Sequence, residues 1–307
     1  MSVPDLRRAA QRIDPLGPQQ SGRYTDHVVA VVRERPPRDG DPGPAPIVRT
    51  EHFCLRRRGR RVEVGHWLRP DQLDNDLAGL LGEELFAPGW LSGPDIFERV
   101  FTGVVRSCVD GPLTAWTTFY DNTLTRIREC WEEPADSDHS SIAGFAPVYR
   151  RTLELVDGGT VLDMGSCFGF LPLMLARRPG RTVIASDLSR GTMRLLGAVA
   201  ESLGLQLGIL ACDASRVPRP DASVDTVTLI HLLEHLDPQH GDAVLEEALR
   251  LARRRVIAAV PYEDEPTAAY GHVRSFDLDQ LKHLGQRTGR PFEASSYHGG
   301  WLVLTPR

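Results

Sequence analysis

Lysine is almost absent from this chain: of 36 basic residues among 307, Lys282 is the only lysine. That bias reflects a GC-rich coding sequence and carries no chemistry of its own. No run of about 18 uncharged apolar residues occurs, which excludes a membrane-spanning helix. The opening MSVPDLRRAAQRIDPLG has no continuous apolar stretch of the kind a secretory leader needs, so a cytoplasmic protein is expected. Cysteines are few and scattered (Cys54, Cys108, Cys130, Cys167 and Cys212), with no CxxC pair. They form neither a disulfide framework nor a zinc signature. Excess positive charge is missing too: the formal charge of −5 argues against a protein that coats nucleic acid. What remains is 41% hydrophobic and 25% charged, ordinary for a folded protein. The length suits roughly two domains.

The first part, residues 1–135, reads as an α+β region. Thr25–Val32 is strand-like, and Glu34–Pro46 is too rich in proline and glycine for helix or central strand. HFCLR and VEVGHWL flank the arginine-rich Arg57–Arg61 as a β-hairpin with Gly59 at its tip. From Pro70 the period becomes helical. Leu73, Leu77, Leu80, Leu81 and Leu85 make one apolar face, Ile96 to Val105 a second, and Leu113 to Ile127 a third. Three such faces need a partner: each other, the second half, or another copy in a homodimer. The polar stretch Trp131–Ser141 marks the boundary.

Residues 136–307 alternate strand and helix, which implies an α/β domain built on an open, mostly parallel sheet. Strands are expected at Thr160–Met164, Thr182–Ser186, Leu207–Ala211, Val224–Ile230 and Val256–Val260. A closing hairpin follows, near Phe292–Tyr297 and Trp301–Leu304, whose short link suits antiparallel pairing. Asp277 with Gln280 reads as a capping box before the last helix. Ligands in such sheets bind beyond the carboxyl ends of the strands. There the chain places Asp163-Met164-Gly165-Ser166-Cys167-Phe168-Gly169, then Asp187, then Asp213-Ala214. Glycines after a strand allow backbone to approach a ligand, and the following helix turns its free N–H groups towards it. Asp163 inside the turn would repel a pyrophosphate but suits a ligand ammonium, whereas Asp187 suits ribose hydroxyls.

This ordered set, VLDMGSCFGF, SDLS, CDAS and VDTVTLIHLLEHL, resembles the class I S-adenosylmethionine-dependent methyltransferases over about residues 140–307. The resemblance implies a doubly wound, seven-stranded Rossmann-like sheet with its last strand antiparallel. It also implies S-adenosylmethionine as cofactor, held by Asp163, Gly165, Ser166, Cys167, Phe168 and Gly169. Asp187 and Leu188 would stand at the ribose, Asp213 and Ala214 at the adenine, and Ile230 at the end of the fourth strand. Cys167 stands where the family usually has a third glycine, which puts the path of the loop in question.

The fourth strand runs into His231-Leu232-Leu233-Glu234-His235. The spacing matches the HxxEH metalloprotease pattern; that reading is set aside because the segment follows a buried strand and no further zinc ligands accompany it. Some methyltransferases carry Glu-x-x-Glu-His here and bind a divalent cation, but His231 replaces the first glutamate, so no metal is expected. Glu234 either serves the chemistry or holds a backbone group. A Gly-His-x-Arg-x-Phe segment, Gly271 to Phe276, resembles one lying over the substrate mouth of relatives. Oxygen acceptors hold their proton tightly, so histidines near the methyl favour O-methylation; His231, His235 and His272 are the catalytic candidates. The two-part layout and arginine bias resemble actinobacterial small-molecule and sugar O-methyltransferases, including the mycofactocin oligosaccharide methyltransferase family. That resemblance implies a small-molecule or saccharide acceptor, with neither nucleic acid nor membrane as partner. A non-catalytic adenosyl-ligand-binding scaffold and an NAD-dependent oxidoreductase are the alternatives.

Overall fold

The computed structural model describes residues 13–18, 20–36, 46–59, 61–132, 140–267 and 271–306. Most of the proline-rich stretch and of the boundary segment, together with Arg60 and Tyr270, lie outside the described residues.

The amino-terminal region carries a mixed sheet of five strands: β1 (Arg23–Thr25), β2 (Val29–Arg33), β3 (Val48–Arg49), β4 (Phe53–Arg58) and β5 (Arg61–His66), in the order β1-β2-β5-β4-β3. The β4–β5 hairpin forms as its sequence predicts, antiparallel with Gly59 at φ 62°. The expected single strand over Thr25–Val32 is instead two. Asp26 Oδ1 accepts hydrogen bonds from the Val28 and Val29 amides at 2.7 and 2.8 Å, which turns the chain back so that β1 pairs antiparallel with β2. Arg99 fixes that turn by donating to Asp26 Oδ2 at 2.6 Å.

The helical part is broken at its start. A short α1 (Leu77–Leu81) runs on as a wider turn through Gly82–Phe86, and α2 (Pro94–Cys108) and α3 (Pro112–Glu132) follow. A further helix, α4 (Ser141–Leu155), was not anticipated from the sequence. The Ser140 hydroxyl caps it by accepting from the Ala143 amide at 3.1 Å, and Asp76 reaches across to the Ile142 amide at 3.0 Å. No helix among the described residues is long and apolar enough to cross a membrane.

The second sheet has seven strands: β6 (Thr160–Met164), β7 (Thr182–Asp187), β8 (Gly208–Ala211), β9 (Val224–Ile230), β10 (Ala252–Val260), β11 (Phe292–Ser296) and β12 (Gly300–Leu304). Their order is β11-β12-β10-β9-β6-β7-β8, with β12 antiparallel to both neighbours and the other pairs parallel. The helices α5 (Phe170–Ala176), α6 (Arg190–Ser202), α7 (Pro238–Leu251) and α8 (Leu278–Arg287) connect them. This is the expected doubly wound, Rossmann-like α/β architecture. Strand order reverses beside β6, so a ligand crevice opens at its carboxyl end.

The apolar faces of α2 and α3 are buried within the chain. One hydrophobic cluster runs from Tyr24 and Val31 through Phe101, Trp116 and Phe119 to Phe168, Phe170 and Trp301. Phe119 is fully buried and meets Phe101 and Trp116 edge to face, with ring centroids 5.6 and 5.5 Å away. The Phe168 ring, from the glycine loop after β6, lies 5.6 Å from the Phe119 ring. The two parts of the chain therefore share one core.

Candidate active site

The loop after β6 is held by backbone. The Gly165 and Ser166 amides donate to the Ser186 carbonyl at the end of β7, at 2.8 and 2.9 Å. Gly165 sits at φ 74°, and a Cβ there would stand 2.7 Å from Leu232 Cδ1, so this position accepts only glycine. Cys167 adopts φ 49°, the left-handed conformation that a glycine would take without strain. Its amide donates to Asp187 Oδ2 at 3.0 Å, so the loop keeps its path with a cysteine in place. The half-buried Phe168 ring packs against Trp116 and Phe119, which ties the loop to the core.

Three carboxylates line up along the strand ends. Asp163 is buried; its Oδ1 accepts from Thr228 Oγ1 at 2.6 Å. Burial, helped by the charge of Asp187 and opposed by hydrogen bonds from Thr228 and Ser166, pushes its pKa up to about 6. Asp187 accepts from the Cys167 amide through one oxygen and from the Ser189 amide, at 2.8 Å, through the other. The neighbouring Leu188 is 76% exposed, an apolar side chain left open at the crevice. Asp213 Oδ1 accepts from the amide and hydroxyl of Ser215, both at 2.8 Å, and lies 3.3 Å from His240 Nε2. These bonds, that of the Ser215 amide first, hold the Asp213 carboxyl below its ordinary range. Ala214 beside it is half-buried, and Ile230 is buried at the end of β9.

The histidines gather at the end of β9. His231 takes φ 53°, and its amide still donates to the Ala259 carbonyl of β10 at 2.9 Å. Its ring packs against Phe145 of α4 at 5.1 Å, and its Nδ1 stands 3.4 Å from Glu234 Oε1. Glu234 and His235 share a single turn of 3-10 helix, Leu233–His235. The loop carrying His272 is strapped onto that turn by the Val273 amide, which donates to the Glu234 carbonyl at 2.9 Å. His235 and His272 face each other with ring centroids 4.9 Å apart. His235 Nδ1 is 3.2 Å from the Gly271 carbonyl, and His272 Nδ1 is 2.7 Å from Glu263 Oε2. The backbone carbonyl of Glu234, rather than its carboxylate, is what holds the neighbouring segment. Both carboxylate oxygens are buried without a hydrogen-bond partner among the described residues, and burial raises the pKa to about 8.

All three catalytic candidates thus meet at one end of the sheet, across from the three carboxylates. The sequence reading missed Phe145, because it placed no helix there, and it gave Glu263 no role. His298 stays outside the group, in the β11–β12 turn against Tyr297. A cavity of about 750 Å³ lies between α7 and α8, lined by Arg250, Arg253 and Arg287 among others. It sits at the amino ends of β9 and β10, away from these residues, and is not the site described.

Residues 161–255 match the family model for the methyltransferase domain. The match covers about a third of the chain. A demethylmenaquinone methyltransferase of Thermus thermophilus is 36% identical over 140 residues, which cover 45% of this chain and 63% of that protein. Methyltransferase GfsG of Streptomyces halstedii is 30% identical over 128 residues, covering 40% of this chain and 45% of that one. The chain thus spans less than two thirds of the length of these relatives. A crystal structure of a SAM-dependent methyltransferase from Aquifex aeolicus aligns at 16% identity and a TM-score of 0.43, over 59% of this chain and 96% of that one.

S-adenosylmethionine is the cofactor that the resemblance implies, and the residues present fit it. A buried carboxylate with a raised pKa, Asp163, is stabilised by a ligand cation, which the methionine ammonium supplies. Asp187 keeps lone pairs for ribose hydroxyls beyond the two amides it already accepts. Exposed Leu188 offers an apolar surface for a base.

Proposed function

We propose that this chain is an S-adenosylmethionine-dependent methyltransferase whose acceptor is a hydroxyl of a small molecule or saccharide. The observation that carries this reading is the convergence of His231, His235 and His272 at the end of β9, beside the cofactor crevice. The cofactor supplies an electrophilic methyl on a sulfonium, and its transfer forms a carbon–oxygen bond as the carbon–sulfur bond breaks. Asp163, Asp187 and Leu188 hold and orient the donor; the glycine loop lets backbone approach it. His231 receives the hydroxyl proton, with its ring fixed by Phe145. His235 and His272 line the same mouth.

Calorimetric titration with S-adenosylmethionine, S-adenosylhomocysteine and NAD tests the cofactor, and transfer of labelled methyl to a panel of sugars and phenols tests the acceptor. Micromolar binding of both adenosyl ligands, none of NAD, and labelled O-methyl product are expected. His231→Ala should lower turnover at least tenfold with cofactor affinity changed less than threefold. Binding without transfer to any acceptor would favour the non-catalytic scaffold.

The finer reading, an oligosaccharide of a glycosylated redox cofactor as in the mycofactocin family, is supported only by the resemblance in layout. A second reading, methylation of an aromatic carbon, draws on the quinone methyltransferases among the relatives and on the stacked Phe145 and Tyr149 rings, 5.8 Å apart, beside His231. Carbon-linked label in the product would select it.

A further inference from the structure

We propose that Glu234, His235 and His272 form a site for one divalent first-row transition-metal cation at the acceptor mouth. One ligand atom from each residue lies within 4.8 Å of the other two. Ligands about 2.1 Å from a tetrahedral ion stand about 3.4 Å apart, so binding draws them together by at most about 1.4 Å.

Two independent features set this cluster apart from an ordinary hydrogen-bonded network. The first is Glu234, whose side chain is 1% exposed and whose two carboxylate oxygens have no hydrogen-bond partner among the described residues. An unpaired carboxylate in that setting costs several kcal/mol unless a cation or a proton compensates it. Arg274, whose charge acts on Glu234 from nearby, forms no ion pair with it among the described residues. It donates from Nε to the Leu233 carbonyl at 3.1 Å and stacks its guanidinium over Phe276 at 4.4 Å. The second feature is how the imidazoles are held. His235 has Nδ1 against a backbone carbonyl, and His272 has Nδ1 against a carboxylate, Glu263. Glu263 is itself anchored by the Thr267 hydroxyl at 2.9 Å. Ligating histidines are oriented in this manner, through one ring nitrogen bonded to a carbonyl or carboxylate behind them.

The donor set decides the class of metal. Two imidazoles and one carboxylate suit zinc, iron, cobalt or manganese, whereas magnesium and calcium want oxygen ligands throughout. Three protein ligands leave a coordination position open, as in metal sites that act on a substrate oxygen. His272 reaches the set only because its loop is strapped to the 3-10 turn, so the local pattern around His231 does not contain this site. What the ion does for the reaction rests on the reading above: it would hold the acceptor hydroxyl and lower its pKa, with His231 as proton acceptor. The site itself does not depend on that reading.

The test uses the full chain, stripped of metal and free of substrate, titrated with Zn²⁺ and with Co²⁺, with Mg²⁺ as the oxygen-preferring control. We expect one Zn²⁺ or Co²⁺ per chain, visible ligand-field absorption on cobalt loading, and no comparable Mg²⁺ binding. Glu234→Gln and His272→Gln should each weaken Zn²⁺ binding at least tenfold, and His298→Gln should leave it unchanged. Should either ligand variant fail to fold, Glu263→Gln serves instead, with an expected loss of about 10- to 100-fold. No Zn²⁺ or Co²⁺ binding by the parent chain, or affinities unmoved by these substitutions, overturns the site. Cofactor titration of the same metal-free sample separates the two proposals. Cofactor binding without metal binding refutes the site alone; metal binding without cofactor binding refutes the methyltransferase reading alone.

Discussion

Replacing Asp163 by asparagine should make the ligand-free protein more stable at high pH while weakening its hold on the cofactor. The side chain is 3% exposed, and burial together with Asp187 pushes its pKa up to about 6 from 3.8. The native state therefore keeps a proton that the unfolded chain releases between those values, and stability contributed by this group falls as pH rises through that window. Complete at pH 8, the penalty is about 3 kcal/mol at 1.36 kcal/mol per pH unit; at pH 5 about half of it is present. Asparagine keeps the oxygen that accepts from Thr228 and carries no charge. The gap in stability, Asp163→Asn minus parent, should therefore grow by about 1.5 kcal/mol between pH 5 and pH 8. That corresponds to roughly 3–5 °C in Tm for a chain of this size. Paired thermal melts at the two pH values give the number directly, because other titrating groups are common to both proteins and cancel. Affinity for S-adenosylmethionine should drop about 10- to 100-fold through loss of one charge-assisted contact. A gap that is flat or shrinks with rising pH would refute the account of Asp163 as an uncompensated buried carboxylate.

The core and crevice offer further tests. Phe119→Ala should cost about 3–5 kcal/mol in urea denaturation, since the ring is fully buried among five aromatic neighbours on both sides of the shared core. His66 is buried, with Nε2 2.9 Å from Ser107 Oγ, and burial with the nearby Arg33 charge pushes its pKa down to about 3. The unfolded chain protonates it below about pH 6.5 and the native state does not. His66→Gln should accordingly lose less stability than the parent between pH 7 and pH 5, by about 2 kcal/mol. Leu188→Ser should leave Tm within about 1 °C, as the side chain is exposed, yet weaken adenosyl ligands about tenfold by removing an apolar contact.

The parts of the site that follow one another along the chain were legible before the structure. Asp163, Asp187 and Asp213 each end or follow a strand of a parallel sheet, so chain order alone places them along one edge. The strand–helix alternation likewise gave the seven-stranded sheet and its closing hairpin. Boundaries were weaker where local chemistry competes with pattern. Strand β10 begins at Ala252 rather than Val256 because Arg253, Arg254 and Arg255 look like loop yet continue the strand, with Arg255 paired to Thr226. Helix α4 was overlooked because Pro147 lies within it and polar residues flank its start. The Asp26 turn was hidden because a side chain, not a glycine, breaks the strand. Contacts between distant segments were illegible in principle. Nothing in the spacing of Glu263 and His272, or of Phe145 and His231, shows that they touch; the strap from Val273 to Glu234 and the placement of α4 create those meetings.

The aromatic joint among Phe101, Trp116, Phe119, Phe168 and Phe170 has a consequence for how such proteins diversify. Because a ring of the glycine loop after β6 is one of its members, the amino-terminal region is not an appendage that can be exchanged by itself. A fragment beginning near residue 140 would bare Phe168 and Phe170 to water and leave the loop unsupported. A chimera carrying another relative's amino-terminal half would need these rings recut to match. Variation is therefore easiest in loops beyond the strand ends, such as 271–276, and hardest in the helices that hold the glycine loop from behind.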